Sequence, residues 1–168
     1  MTALPLAQWR DFYVMIGTAS GAVTGATFVV ATLAANIEQR SIGMRGFITP
    51  TAVHLGSVLL GSAVLCVPTL TPLALAILLG AGGLVGAIYG VVVGTRIWHM
   101  ELGWDDRAFY VILPVLCYVG MAVAAAMACR DGTPVLETLA ASLVVLFVIG
   151  MRNAWDMANF MITRDKSG

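Results

Sequence analysis

The sequence predicts an all-α, polytopic membrane helix bundle of about five transmembrane helices, with residues 1–168 forming a single domain. The chain is 60% hydrophobic and only 11% charged, and its mean hydropathy is +0.92. Ordinary soluble domains carry about 25% charged residues, so a soluble fold of this composition could not cover its surface with polar groups. The apolar runs are also too long for strands, because strands of a membrane barrel alternate polar and apolar residues over about ten positions.

Five apolar stretches reach the roughly 20 residues that a helix needs to cross a bilayer. We predict spans over residues 12–35, 50–70, 72–97, 108–129 and 134–163. We expect the first to be retained, since Arg10 and Asp11 precede an apolar run longer than the core of a signal peptide. The second and third spans are separated only by "VPTLTP", where Pro68 and Pro72 bracket a predicted tight turn.

The positions of lysine and arginine predict the orientation of the bundle. One side receives most of them, namely Arg40, Arg45, Arg96, Arg107, Arg152, Arg164 and Lys166, whereas the other side receives Arg10 and Arg130. Basic residues in short loops favour the cytoplasmic side, so we predict an N-terminus outside and a C-terminus in the cytoplasm. Lys+Arg and Asp+Glu number nine each, and this balance gives no reason to expect a nucleic-acid partner.

Two glycine ladders predict close helix packing. The first span carries Gly17, Gly21 and Gly25, and the third carries Gly82, Gly86, Gly90 and Gly94. Residues four apart share a helix face, and small residues let helices approach each other in lipid, where hydrophobicity does not drive helices together. We expect the ladders mainly to pack these spans inside one protomer; contacts between copies are the alternative. A mobile helix, with Pro114 as a kink in the fourth span, is a further reading.

A polar stripe ends the fifth span, where Arg152, Asp156, Asn159 and Thr163 fall on one helix face. Within a helix the acid-before-base order is the favourable one, and here the base comes first. We therefore expect Arg152 to have partners on other helices. The candidates are His54 and the third loop, "TRIWHMELGWDDRAFY", which contains His99, Glu101, Asp105, Asp106 and Arg107.

Three interpretations of this polar end stay open at the level of sequence. In the first, aromatic residues and paired charges form an interfacial belt that fixes the depth of the helices. In the second, a cytoplasm-facing pocket uses the Arg152 fork to hold an anion while Asp156 orients it; contact with a soluble partner is a third option. The candidate binding residues are Arg152, Asn153, Trp155, Asp156, Asn159, His54 and His99.

No catalytic residues, metal site or cofactor are predicted. The three cysteines, Cys66, Cys117 and Cys129, stand singly in or beside apolar runs and form no metal-binding spacing. The stretch from His99 to Asp106 matches no established zinc or calcium pattern. "GAGGLVG" lies within a span, without the strand–turn–helix context of a phosphate-binding loop.

Two segments, "FYVMIGTASGAVTGATFVVATLAANI" and "IGMRNAWDMANFMI", resemble those of small, uncharacterised bacterial inner-membrane proteins. They cover about a quarter of the chain. The resemblance implies a bundle in the bacterial inner (plasma) membrane and groups Arg152, Asn153, Trp155 and Asp156 as one unit. It implies no substrate.

The function expected from the sequence is that of a structural or accessory membrane component. Its expected partners are the lipid bilayer and either a second copy of the chain or another membrane protein. The main alternative is a small oligomeric channel or transporter with a cytoplasm-facing polar site around Arg152 and Asp156. A membrane enzyme is disfavoured because the chain has no recognisable nucleophile or metal constellation.

Overall fold

The described chain is helical throughout, with short turns between the helices. The computed structural model describes residues 5–37, 42–98, 103–130 and 134–164. Its elements are α1 (Leu6–Ile37), α2 (Ile42–Leu65), α3 (Pro72–Ile97), the short α4 (Trp104–Arg107), a π-helical segment (Ala108–Ile112), α5 (Leu113–Met127) and α6 (Val135–Arg164). No strand occurs in these ranges, so the predicted all-α bundle is confirmed for the described residues.

Four helices are long and apolar enough to cross a membrane. These stretches are Leu6–Thr32, Pro72–Arg96, Ala108–Met127 and Val135–Asp156, and α2 contributes a shorter apolar stretch, Thr49–Leu65. Over the described residues, four helices are therefore candidates for crossing by length and composition, and the predicted count of five is not confirmed. The apolar stretch of α2 starts within one residue of the predicted position 50, although the helix itself extends back to Ile42 and contains Pro50. The predicted end at residue 70 was wrong, because α2 ends at Leu65, shortly before Pro68, and the residue before a proline disfavours the helical conformation. A proline inside a helix removes one backbone hydrogen bond, but here it does not begin or end the helix.

The turn between α2 and α3 occupies residues 66–71, within the "VPTLTP" region. The Thr71 side chain accepts a hydrogen bond from the backbone N–H of Ala74 at 3.1 Å, and Pro72 follows at the first position of α3. A hydroxyl cap followed by proline is a favourable helix start, because the cap satisfies a free N–H and proline has none to satisfy.

Helices that follow each other in the bundle pack antiparallel, whereas α1 and α6 run parallel, since Tyr13 near the start of α1 bonds to Leu136 near the start of α6. α2 and α6 meet where Gly150 faces Leu55 and Gly61 faces Leu143, so residue numbers rise along one helix as they fall along the other. α1 lies against α2 and α6, and α3 lies mainly against α5. The end that carries Arg152, the C-terminal part of α3 and α4 is called the inner end below.

Close backbone approach defines the α3–α5 interface, called the seam below. A Cβ atom on Gly83 would lie 2.7 Å from the Tyr118 carbonyl oxygen and 2.8 Å from the Ala122 nitrogen. Further along, Cβ atoms on Gly90 and Gly94 would lie 2.8 Å and 2.6 Å from methyl carbons of Val115 and Val111, and one on Gly86 would overlap the Tyr118 ring. A side chain at these positions would push the helices apart.

The ladder of α1 makes a looser contact, and it is made with α2. A Cβ on Gly17 would lie 2.9 Å from the Ser62 Cβ, and one on Gly21 would lie 3.7 Å from a Leu59 methyl carbon. Nothing described lies within 4 Å of such an atom on Gly25 or, in α3, on Gly82. A packing role for Gly25 and Gly82 is thus without a described contact and stays a prediction.

Two hydrogen bonds fasten α1 to its neighbours. The Ser20 hydroxyl donates to the Leu55 carbonyl oxygen of α2 at 2.7 Å, and the Tyr13 hydroxyl donates to the Leu136 carbonyl oxygen of α6 at 2.8 Å. Both side chains are fully buried. Hydrogen bonds between helices help to hold bundles together in lipid, so α1 is held where its glycines give little contact.

The core lies between α2, α5 and α6, while the outward faces stay apolar. Buried side chains include Leu55, Val58, Met121, Leu139, Leu143 and Leu146. Large apolar side chains of α3 such as Leu84, Val85 and Ile88 are more than half exposed. An outer surface of this composition suits contact with lipid tails and would be unusually apolar for a protein in water.

Candidate functional site

The polar end of α6 centres on Arg152, which has partners on its own helix and on a neighbouring element. Its guanidinium lies 3.7 Å from a carboxylate oxygen of Asp106 in α4 and 3.8 Å from one of Asp156. The centre of the guanidinium also lies 3.9 Å from the centroid of the Phe109 ring. The group formed by Arg152, Asp106, Asp156 and Phe109 is called the inner-end cluster below.

The two ion pairs of this cluster are looser than direct hydrogen bonds. Charge-assisted hydrogen bonds between nitrogen and oxygen are about 2.7–2.9 Å long, and both distances here are longer. The three charged side chains keep 32–43% of their surface exposed, so water screens the attraction. Stacking on Phe109 adds a cation–π contact that orients the guanidinium plane.

The π-helical segment places Asp106 and Phe109 beside α6. Pro114 follows this segment, and its ring leaves no N–H for the carbonyl four residues earlier and crowds that carbonyl. A π turn relieves such crowding by widening the helix, with bonds from residue i to residue i+5. The Leu113 N–H accordingly bonds to the Ala108 carbonyl oxygen. Pro114, which the sequence indicated as a kink, is thus preceded by a local change of helix type.

Tryptophans surround the inner end on the outside of the bundle. The Arg107 guanidinium lies 5.1 Å from the Trp98 ring centroid and 5.6 Å from that of Trp104. Trp98, Trp104 and Trp155 are 47%, 73% and 67% exposed. Tryptophan is enriched at the level of lipid headgroups, so this arrangement is typical of an interfacial belt.

The "RNAWD" unit is divided between the interior and the surface of the bundle. Arg152 and Asp156 are partly buried in the inner-end cluster, Asn153 is 2% exposed, and Trp155 is exposed, as is Asn159 one turn beyond the unit. Successive helix residues are rotated by about 100°, so adjacent members of the unit must face different surroundings. The five residues therefore do not form a single site: Asn153 belongs to the interior of the bundle, and Trp155 belongs to its outer surface.

His54 lies inside the bundle and pairs with α5. Its Nδ1 atom is 3.0 Å from the Tyr118 hydroxyl, which donates to the Ser57 hydroxyl at 3.0 Å, and Ser57 donates to the Val53 carbonyl oxygen at 2.8 Å. The His54 side chain is 1% exposed. The sequence placed His54 among the candidates for the polar end, and its described partner is Tyr118.

The remaining predicted residues have mixed outcomes. His99 and Glu101 lie outside the described residues, and the side chain of Asp105 is likewise not described. Asp106, one of several third-loop candidates, is the one whose contact with Arg152 is described. Among the described residues, no three His, Cys, Asp or Glu side chains gather into a group that could hold a metal ion.

Sequence reasoning missed Phe109, Tyr118 and Ser57. Phe109 and Tyr118 stand in an apolar run, where an aromatic residue indicates only a buried or lipid-facing position. The signal for Tyr118 lies in two helices at once, because Gly86 makes room for its ring and His54 supplies its partner. Neither fact is readable before the α2–α5 and α3–α5 pairings are known.

Comparisons with known protein families, with curated proteins and with solved structures find no match. A functional conclusion about this chain therefore rests on its own residues and their geometry.

Proposed function

We propose that this chain is a structural or accessory component of a bacterial inner membrane, and that its inner-end cluster sets the depth and mutual position of α4 and α6. The observation that carries the proposal is the surroundings of Arg152. Its guanidinium already has two carboxylates and one aromatic face for partners. Such a group supports an anchoring role between elements.

Five crossings are part of this proposal. α2 contains 24 residues, and a rise of about 1.5 Å per residue gives a helix of roughly 36 Å, which exceeds the bilayer core of about 30 Å. It lies antiparallel to α6 along the contacts at Gly61 and Gly150. Because α2 packs alongside α6, which is long enough to cross the membrane, the two helices lie at the same depth in the bilayer. This supports α2 as the fifth span.

The proposed orientation has the inner end in the cytoplasm and the N-terminus outside. Arg96, Arg107 and Arg152 belong to the inner end, whereas Arg130 lies at the opposite end of α5. This distribution agrees with the preference of basic residues for the cytoplasmic side. The bacterial inner membrane itself is taken from the resemblance of the two quoted segments.

The composition of the cluster argues against an anion site. Asp106 and Asp156 together supply two negative charges against the single positive charge of Arg152. An incoming anion would be repelled by both carboxylates. Helices held at a fixed depth, with apolar outer faces, are instead suited to contact a second copy of the chain or another membrane protein, and we propose such a partner.

The test compares Arg152→Ala and Arg152→Lys in reconstituted liposomes. We expect wild-type protein to give chloride and phosphate fluxes equal to those of protein-free liposomes. We expect Arg152→Ala to lower stability by about 1–2 kcal/mol, the sum of weak ion pairs and one cation–π contact. Arg152→Lys should recover part of the loss, since it keeps the charge but not the planar stacking.

Purification from native membranes in a mild detergent supplies the second arm. An accessory component should be recovered with a defined partner, or with a second copy, at fixed stoichiometry. Protein-dependent flux that Arg152→Ala abolishes in a folded protein would contradict the proposal.

A small oligomeric channel or transporter is the second candidate, and buried polar atoms favour it. His54 and Asn153 carry atoms without a hydrogen-bond partner in the described chain, and polar groups inside membrane bundles often mark pathways. This candidate predicts flux that falls to background in Asp156→Ala while circular dichroism remains that of the wild type.

A further inference from the structure

Among the described residues, three side chains that are almost completely buried have polar atoms with no hydrogen-bond partner, in addition to Nη1 of Arg152 in the inner-end cluster. They are Nε2 of His54, both Oδ1 and Nδ2 of Asn153, and the hydroxyl of Ser62. The three side chains are only 1–2% exposed. Leaving a polar group unpaired in an apolar interior costs on the order of 1–3 kcal/mol, so each of these atoms calls for a physical explanation.

The hydrogen bonds around Tyr118 determine which nitrogen of His54 carries the proton. The Ser57 hydroxyl hydrogen is used on the Val53 carbonyl oxygen, so Ser57 can only accept from Tyr118. The single hydroxyl hydrogen of Tyr118 is thereby used on Ser57, so Nδ1 of His54 must donate to Tyr118. In a neutral imidazole the other nitrogen is then a bare acceptor. Nε2 of His54 is that acceptor.

His54 and Asn153 lie at nearly the same depth in the bundle. Leu55 of α2 contacts Gly150 of α6; His54 precedes Leu55 by one residue, and Asn153 follows Gly150 by nearly one turn. The helices are antiparallel, so both steps lead toward the inner end. Side chains tilt toward the N-terminus of their helix, which brings these two side chains closer in depth.

Both residues lie on helix faces directed at the helix that is formed by the π-helical segment and α5. His54 contacts Tyr118 of α5. Asn153 follows Ser142 by about three helical turns and therefore shares its face. That face meets α5, because a Cβ on Gly120 would lie 3.1 Å from the Ser142 hydroxyl oxygen. This register supports a place for the acceptor of His54 and the carboxamide of Asn153 at one junction, between α2, α6 and the helix formed by the π-helical segment and α5.

We propose that His54 and Asn153 form a binding site at this junction for a small neutral molecule that both donates and accepts hydrogen bonds, with water as the first occupant. The imidazole nitrogen and the amide oxygen accept from it, and the amide nitrogen donates to it. Buried waters typically bridge such groups through two to four hydrogen bonds. The site carries no charged side chain, so it selects for neutral molecules over ions. This inference is independent of the role of the inner-end cluster.

Ser62 belongs elsewhere and supplies the matched control. It faces Gly17 at the α1–α2 interface, two turns of α2 away from His54 in the direction opposite to the inner end. Its hydroxyl is buried and has no hydrogen-bond partner among the described residues, as is true of the three polar atoms of the site. Removing it changes the polarity of the interior without touching the junction.

The experiment is solid-state NMR of histidine-labelled protein in lipid bilayers, using His99→Gln as the background so that His54 gives the only signal. We expect a neutral imidazole protonated at Nδ1, with magnetisation transfer from water to Nε2. Asn153→Leu should reduce that transfer several-fold while the tautomer stays the same. Ser62→Ala should leave both observations unchanged.

Several results would overturn the site. A neutral His54 protonated at Nε2 would remove the acceptor, and a wild-type Nε2 without water transfer would leave the junction dry. Transfer that persists undiminished in Asn153→Leu would exclude Asn153 from the site. Should Asn153→Leu not fold, Asn153→Ala takes its place, and the wild-type measurement already decides the tautomer and the hydration.

Discussion

The two glycine ladders look alike in the sequence but differ in the structure. Along α3 the contact with α5 continues through Gly83, Gly86, Gly90 and Gly94, each of which would bring a Cβ closer than 3 Å to α5. Along α1 such a distance is reached at Gly17, and the gap to α2 widens at Gly21. The hydroxyl groups of Tyr13 and Ser20 add hydrogen bonds from α1 to α6 and α2.

The difference teaches that a ladder predicts a packing face without predicting its length or its partner. When the axes of two helices are aligned, the same face of each helix stays in contact over several turns, and every glycine of a ladder lies at the interface. When the axes cross at an angle, the interface shifts from the glycine face to a neighbouring face of the helix. Ser20, one position from Gly21, provides that neighbouring contact in α1.

The largest expected effect is at the seam, for Gly83→Val. A branched side chain would meet the backbone of Tyr118 and Ala122, which cannot move aside without separating α3 from α5, so we expect a loss of about 3 kcal/mol. Unfolding in mixed micelles followed by circular dichroism measures it. Gly82→Val, at the adjacent position with no described atom within 4 Å, is the control and should change stability by less than about 1 kcal/mol. Equal losses would refute close approach at the seam.

A smaller effect is expected for Gly86→Ala, because its nearest neighbour is a side chain. The added methyl group would overlap the Tyr118 ring, and we expect a loss of about 2 kcal/mol as the ring shifts. The shift should also weaken the contact of Tyr118 with His54, and NMR of His54 would detect that. Unchanged stability together with an unchanged His54 signal would show that Tyr118 is not held by the seam.

The ladder of α1 should be more tolerant. Gly17→Ala brings a methyl group to 2.9 Å from the Ser62 Cβ, and we expect it to lower stability by about 1 kcal/mol. Gly25→Ala should be neutral or slightly stabilising, since alanine is the better helix former. The same unfolding assay compares them, and an inverted order would contradict the contact between α1 and α2.

The smallest effect is expected for Ser20→Ala. The variant removes the hydrogen bond to the Leu55 carbonyl oxygen, and such bonds within membranes contribute about 0.6 kcal/mol on average. Thr24→Ala is the control, because the Thr24 hydroxyl bonds within α1, to the Ser20 carbonyl oxygen. If Thr24→Ala lowered the free energy of unfolding as much as Ser20→Ala does, the hydrogen bond between the helices would contribute no more to stability than one within a helix.

Composition and run length were enough to predict the helical bundle. Helices in lipid satisfy their own backbone groups, so the class follows from hydropathy without any knowledge of contacts. The second span was predicted over residues 50–70, and its apolar stretch is Thr49–Leu65, so the end was placed five residues too late. Apolar residues continue past Leu65, and hydropathy alone therefore did not mark the turn before Pro68. Helix pairings were not predictable, since glycine spacing is the same for any partner.

The candidate site was predictable in part. The base-before-acid order at Arg152 and Asp156 indicated a partner on another element, and Asp106 lies there. Asn153 and His54 could be named as polar residues in apolar surroundings, but not related to each other. Their relation depends on the antiparallel register of α2 and α6, which a single sequence does not encode in any local pattern.

The π-helical segment makes the inner-end cluster dependent on chain length. Ala108–Ile112 closes a bond of residue i to residue i+5 where an ordinary turn would use i+4. Deleting one residue of this segment would remove no charged group. It would, however, rotate Trp104–Arg107 by about 100° relative to α5. Asp106 would then swing away from Arg152. An insertion or deletion of a single codon in this stretch is therefore expected to be more harmful than most substitutions in it.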